Sequence, residues 1–458
     1  MSLPSRPLAR AWILIPICAL GFIAWCDYLR VQRVEFVSGV AKEGAVADPR
    51  SPTGYADGKR WLIVPEHNNP TYQWIEDTQL MAASGAWRVR RNDYENAPFG
   101  REVHSASPYR WWLLAVAEVD RAVSGRPLGQ SLERAALFAD PLLHLLLVLA
   151  ATVVVARRFG AFSAALVAAA LASVYPLAAA FLPGVANDFA LLQIALFWGI
   201  LLLLAGATAG AGATRWFFLA GVAGGCGMWL NAGETIPVVI GIGAGAVLAS
   251  WVAGRGKPGA PAHVAPWRAW AFGGAVTSLF GYLVEYFPNH MDPQLRVNYP
   301  LYGVAWLGLG ELLWRFASWV QLGRPLRPAR AIAACVLAAA ALAALPVAIA
   351  RTQDRAFLAG DLQSTRLTNL PDGVVASSFG AWAAQPGSAG AVAATLVSLL
   401  LVVPAVWLLF RNRAGHPQRF ALCVALGPVF VLLVLAVGKI RWWNTVDIAL
   451  LDLLAVAA

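Results

Sequence analysis

The chain has 458 residues, of which 59% are hydrophobic and 13% charged, and a formal net charge of +10; its mean hydropathy is +0.60. Soluble domains carry roughly 25% charged residues, so water is not the main solvent of this protein and a soluble globular fold is excluded. The positive charge does not point to nucleic acid, because no basic helix or aromatic-basic module accompanies it.

A bilayer core roughly 30 Å thick takes about 20 apolar residues per helix. In chain order, the sequence predicts eleven such helices, over 11–29, 135–156, 161–182, 188–206, 216–232, 234–253, 268–286, 299–321, 331–351, 389–410 and 420–438, with 443–458 as a weaker twelfth. The expected fold is an all-α, polytopic integral membrane protein forming a single transmembrane domain over 1–458. Arg6 and Arg10 before the first apolar run resemble a signal peptide, but the run is long and bulky and lacks a small-residue cleavage site, so it reads as an anchor.

Six short polar stretches contain Lys or Arg and no Asp or Glu: 1–10, 157–160, 207–216, 254–268, 322–330 and 411–419. Positive connectors face the cytoplasm, which predicts a cytoplasmic N-terminus in the inner membrane and puts the acidic connectors outside. Cys18, Cys26, Cys226, Cys335 and Cys423 lie in apolar segments without metal-like spacing, and no disulfide is expected.

The largest external insertion is 30–134, too charged for lipid and too long for a connector. Inside it, the run from Pro108 to Arg121 starts with a proline and mixes aromatic, aliphatic and charged residues, which predicts a helix lying along the membrane surface. A second external loop, 352–388, contains Asp354, Asp361 and Asp372.

Two acidic features stand out on the external side. Glu76-Asp77 follows Tyr72 and Trp74 in the first loop, and paired carboxylates are hard oxygen ligands suited to magnesium or manganese; a solvated charge pair is the simpler alternative. Asp188, in Pro183-Gly184-Val185-Ala186-Asn187-Asp188, sits in a tight turn before the fourth apolar run, where a helix cap is the plainer explanation. Arg441, beside Trp442 and Trp443, is a candidate phosphate contact or else an interfacial anchor. His290, in the loop after the seventh run, is a candidate substrate contact, as is His104 in the stretch Arg91–Ser105.

Taken together, the Glu76-Asp77 pair, the stretch Arg91–Ser105 and the run from Pro183 to Gln193 resemble the GT-C superfamily of polyprenyl-phosphate-dependent glycosyltransferases, in the branch of the oligosaccharyltransferase catalytic subunit. The resemblance covers about residues 70 to 300. It implies an outward-facing transferase with a lipid-linked sugar donor, an acceptor that the sequence does not specify, and contact with membrane lipids; no nucleic-acid partner is expected. It makes Asp77 and Asp188 the catalytic carboxylates, with Glu76, Asp77 and Asp188 holding a divalent metal ion (Mg or Mn). Three features depart from the family pattern: the Trp-Trp-Asp motif of its acceptor-reading domain is missing, Trp442-Trp443-Asn444 lying at a membrane boundary, and two others concern the external acids. The family's second-loop motif has two acids separated by one residue, whereas this chain has Ala186-Asn187-Asp188, and the 352–388 loop contains no glutamate.

Charge inside the apolar runs supplies a rival reading. Asp140 and His144 are four apart, as are Glu311 and Arg315, so each pair shares a helix face. Charges at membrane depth mark ion or proton pathways, and a transporter would use them. A catalytically silent relative is the third possibility, because the second loop has only one acid.

Overall fold

The computed structural model describes residues 12–41, 45–64, 71–93, 98–210, 212–255, 264–288, 297–323, 329–351, 378–412 and 416–458. His290, Asp354, Asp361 and Asp372 lie outside these residues, as does part of the basic connectors. Every predicted apolar run contains a helix among the described residues. The long helices are α1 (Leu14–Ala41), α4 (Leu128–Arg158), α6 (Asp188–Ala207), α7 (Ala213–Leu230), α8 (Ala232–Gly254), α9 (Trp267–Glu285), α10 (Pro300–Leu322), α11 (Ala329–Arg351), α13 (Ala389–Arg411) and α14 (Pro417–Gly438). Shorter ones are α2 (Thr71–Ser84), α3 (Pro108–Ser124), α5 (Ala161–Ser173), α12 (Phe379–Ala383) and α15 (Trp443–Ala457). Among the described residues, seven helices (α1, α4, α6, α8, α11, α13 and α14) are long and apolar enough to cross a membrane. The chain is a multi-pass, predominantly helical membrane protein. Its strands among the described residues are one two-residue antiparallel pair, β1 (Arg91–Asn92) and β2 (Arg101–Glu102).

Three helix boundaries differ from the hydropathy reading, each for a visible reason. α1 continues to Ala41 because Ile23, Val31, Val34 and Ser38, all buried, carry a helical stripe past the apolar run. α4 starts at Leu128 rather than 135, and its first turns bury Ser131, Leu132, Ala135 and Ala136. α5 ends at Ser173, capped by the Val174 N–H on the Ala170 carbonyl at 2.8 Å, because Pro176 lacks a donor and biases Tyr175 away from helical geometry. A 3-10 turn, Leu177–Phe181, replaces the rest of the predicted span.

The contacts divide the chain into two compact units. The first is Met1–Thr152 with Leu171–Ser173 and Ala178–Leu191; the second is Val153–Ala170, Val174–Leu177 and Leu192–Ala458. In the second unit, α7 lies against α9 and α8 against α14 at glycines. A methyl group on Gly427 would collide with the Gly241 carbonyl and with the Gly245 backbone, and one on Gly221 would strike the Trp270 carbonyl. Apolar side chains gain little by leaving lipid, so close backbone approach at small residues is what holds such helices together.

Substitution at these contacts should be felt while the same change elsewhere is not. Gly427→Ala is expected to lower thermal stability in detergent by about 1–3 kcal/mol. Gly21→Ala, where an added methyl meets nothing within 4 Å, should leave the melting temperature unchanged.

Candidate active site

The first unit is organised around α2 and α3. Pro108 at the start of α3 has no N–H to waste in the first turn, and Gly125 ends the helix in the left-handed conformation (φ 70°), its N–H on the Arg121 carbonyl. One face of α3 is buried, comprising Tyr109, Arg110, Leu113 and Ala117. α2 buries Thr71, Trp74, Ile75, Thr78 and Met81 at helical spacing, and Asp77 beside them. Met81 packs with Val89 and Val103, which flank the β1–β2 hairpin, and with Trp111 and Leu114 of α3. The helices therefore bring Trp74 and Tyr109 into edge-to-face contact, with ring centroids 5.1 Å apart.

Asp77 is 1% exposed, and a carboxylate taken out of water needs a partner for each oxygen. Its Oδ2 accepts from Arg110 Nη2 at 2.9 Å, and its Oδ1 from the Asn92 amide at 3.1 Å. Arg110 is itself 0% exposed. Its guanidinium lies over the Trp74 ring at 4.8 Å, donates from Nη1 to the Ser105 carbonyl at 3.1 Å, and donates from Nη2 to the Ser105 hydroxyl. Its Nε is buried with no hydrogen-bond partner.

The turn carrying Asp188 is tied down from three elements. Arg30 of α1 donates to the Pro183 carbonyl at 2.9 Å, Thr71 of α2 to the Gly184 carbonyl at 3.1 Å, and the Gly184 N–H bonds the Ala136 carbonyl of α4 at 3.3 Å. Asn187 caps α6, its Oδ1 accepting from the Phe189 N–H at 2.8 Å, so the capping role falls to Asn187 rather than Asp188. Asp188 opens α6 half-buried, where the positive end of the helix favours a carboxylate. It is within electrostatic reach of Arg110. Asp77 is thus bonded to the Arg110 guanidinium, and Asp188, far away in sequence, lies within reach of its field.

Asp140 belongs to the same cluster. Its Oδ1 accepts from the Tyr109 hydroxyl at 2.8 Å and its Oδ2 from the Asn187 N–H at 3.3 Å, which links α3 to the Asp188 turn through α4. Burial pushes the Tyr109 phenol well above its ordinary range, and the nearby charges of Asp140 and Asp188 push it further. The phenol is consequently a fixed donor.

The remaining predicted residues lie elsewhere or are otherwise engaged. Glu76 is half-buried beside Asp77 on α2, and neighbouring helical residues point about 100° apart, so the two do not form a chelating pair. His104 Nε2 lies 3.7 Å from the Glu102 carboxylate at the edge of the hairpin. Arg441 belongs to the second unit, where it is 47% exposed, 3.9 Å from Glu234, and lies over the Trp442 ring. His290 is outside the described residues. Of the rival charges, His144 bonds the Leu171 carbonyl at 2.9 Å and stacks on Phe181, while Glu311 bonds both Arg268 and Arg315. Among the described residues, these groups serve their own packing. A cleft of about 280 Å³ in the first unit is lined by Glu35, Tyr55, Arg126, Glu133 and Arg134, and does not include the carboxylate cluster.

Arg110, Asn92 and Tyr109 are not singled out by the sequence, and Asp140 enters there only through the rival transport reading. The one available signal was Arg110 flanked by Tyr109 and Trp111, a cation in an otherwise apolar helix face.

No three His, Cys, Asp or Glu residues come together as a metal-holding group among the described residues. Both oxygens of Asp77 are taken by protein donors, one of them a full positive charge, and the turn that carries Asp188 has no second acid, its preceding residues being Ala186 and Asn187. The residues present do not fit a divalent ion bridging Asp77 and Asp188.

No family model matches this sequence, and no curated protein is significantly similar to it. Solved structures are similar in fold. The apo oligosaccharyltransferase of Archaeoglobus fulgidus matches with a TM-score of 0.63 at 15% identity, over 98% of this chain and 50% of that one. The chain has the oligosaccharyltransferase fold. The archaeal oligosaccharyltransferase AglB from the same organism, in complex with an inhibitory peptide and a dolichol-phosphate, matches with a TM-score of 0.59 at 16% identity, over 94% and 50% of the two chains. The A. fulgidus enzyme in complex with Zn and sulfate matches with a TM-score of 0.53 at 14% identity, over 85% and 44%. The chain thus spans about half the length of these oligosaccharyltransferases, and the GT-C resemblance read in the sequence holds at the level of fold.

Two outcomes follow from the site's hydrogen bonds. Asp77→Asn leaves Arg110 buried without its counter-charge and should cost about 3–5 kcal/mol in a detergent melt, whereas the double variant Asp77→Asn/Arg110→Met should recover most of that loss. Tyr109→Phe strands Asp140 Oδ1 and should cost about 1–3 kcal/mol. Because folding raises the phenol's affinity for its proton above the ordinary 10.0, its contribution is complete below that pH and falls as pH rises through the higher folded value. The Phe variant should lack this alkaline loss in melts recorded across pH.

Proposed function

We propose that this chain is a membrane glycosyltransferase of the GT-C type, which moves a sugar from a polyprenyl-linked phosphate or pyrophosphate donor to an acceptor on the external face of the membrane. The observation that carries the reading is a buried Arg110–Asp77 ion pair, with Asp188 within electrostatic reach of the same guanidinium, in an oligosaccharyltransferase fold. The dolichol-phosphate bound to the AglB neighbour supports a lipid-phosphate donor. Orientation follows from the Lys- and Arg-bearing connectors, which keep the N-terminus cytoplasmic and the acidic turns outside.

In this reading the acceptor's nucleophilic atom attacks the anomeric carbon of the sugar, and the bond from that carbon to the phosphate oxygen breaks. The phosphate leaves with the electron pair, and the acceptor's proton passes to a carboxylate. Asp188, half-buried on a helix N-terminus, is the carboxylate open to an acceptor. Asp77, at 1% exposure, holds Arg110 in place, and the Arg110 charge stabilises the anion that develops on the departing phosphate. Tyr109 and Asp140 keep the Asp188 turn in register with α3.

The test is reconstitution. Proteoliposomes given a polyprenyl-phosphate-linked radiolabelled sugar should form a covalent glycoconjugate, and Asp188→Asn should reduce its rate by about 10²-fold or more with an unchanged melting temperature. Solute uptake without covalent product would contradict the proposal in favour of transport, and full turnover by Asp188→Asn would remove that residue from the mechanism.

A further inference from the structure

The resemblance that suggests a glycosyltransferase also implies a divalent metal, and here residues and resemblance disagree. Asp77 is bonded on both oxygens, to Arg110 and to Asn92, and is closed to solvent. The guanidinium that binds it is fixed by Ser105 from one side and the Trp74 ring from another. Its charge also acts on Asp188. A divalent ion between these carboxylates would have to displace a buried cation whose stem is held in α3, or sit against it in a medium where like charges repel strongly. The second acid that would complete a ligand set is absent, because Ala186 is a buried methyl group and Asn187 spends its oxygen on the Phe189 N–H and its amide on the Val185 carbonyl.

We propose that Arg110 is the resident cation of this site, held against Asp77 by its own hydrogen bonds, and that the chain needs no divalent metal between Asp77 and Asp188. The inference rests on the glycosyltransferase reading for its role in turnover, but not for its account of ion binding. A guanidinium differs from a metal in consequence as well as in charge. It is planar, always protonated and covalently anchored, so the site would be insensitive to chelators and to the identity of the ambient metal.

Two measurements decide it on the full chain in nanodiscs. The first is titration with Mn²⁺, following the free ion by electron paramagnetic resonance. Wild type should take up no more Mn²⁺ than the Asp188→Asn variant, and one Mn²⁺ per chain in wild type but not in the variant would overturn the proposal. The second is transfer in the presence of EDTA, expected to stay within about twofold of the rate in Mg²⁺ or Mn²⁺, since electrostatic stabilisation supplied by a side chain persists when the ion is removed. Transfer abolished by EDTA and restored by Mn²⁺ would overturn the metal-free proposal and leave the glycosyltransferase reading standing. If no condition gives transfer, the functional reading falls and the Mn²⁺ titration alone decides the question of ion binding.

Discussion

The buried ion pair between Arg110 and Asp77 is the constraint around which the rest of the first unit is arranged. Two charges removed from water are tolerated when they are paired and further hydrogen bonds satisfy most of their remaining capacity. The neighbours supply this: Asn92 for the second Asp77 oxygen, Ser105 for the guanidinium and Trp74 for its face. Because those partners come from α2, the hairpin and the start of α3, the pair sets the relative placement of all three. A helix that reads as a surface element is thereby locked to the acid-bearing one.

A second arrangement holds the other carboxylate. The turn from Pro183 to Asp188 is bonded by Arg30, Thr71, Ala136 and Asp140, so a short irregular segment is positioned by regular elements on several sides. Asp140 is the link between the arrangements, since it accepts from Tyr109 next to Arg110 and from the backbone of Asn187 next to Asp188. A buried acid that suggests ion movement when seen in a sequence serves here to place a turn. His144, four residues on, turns to a different partner altogether.

The apolar runs were legible in the sequence, because 20 consecutive apolar residues have few other solutions and hydropathy finds them without tertiary information. Their ends were less so. α1 and α4 continue as half-buried amphipathic helices where mean hydropathy has already fallen, and α5 stops early at a proline. The acids Asp77 and Asp188 stood out as the chemical types that phosphate and sugar chemistry require. Their surroundings did not, since spacing along a chain does not show that Asp77 lies on a helix facing away from Glu76, nor that Asn92 and Arg110 from later segments reach its oxygens. Arg110 was hidden by its context, an aromatic stretch in which a lone arginine looks like a surface anchor.

In the proposed enzyme Asp77, Arg110 and Asp188 form one site that receives the head group of a lipid-phosphate donor. An experimental structure of the full chain in nanodiscs with a polyprenyl-phosphate sugar tests this most directly. Head-group density is expected against Asp188, with the Arg110–Asp77 pair intact at its edge. Density at another part of the molecule, or Asp77 released from Arg110 and turned away from Asp188, would contradict it.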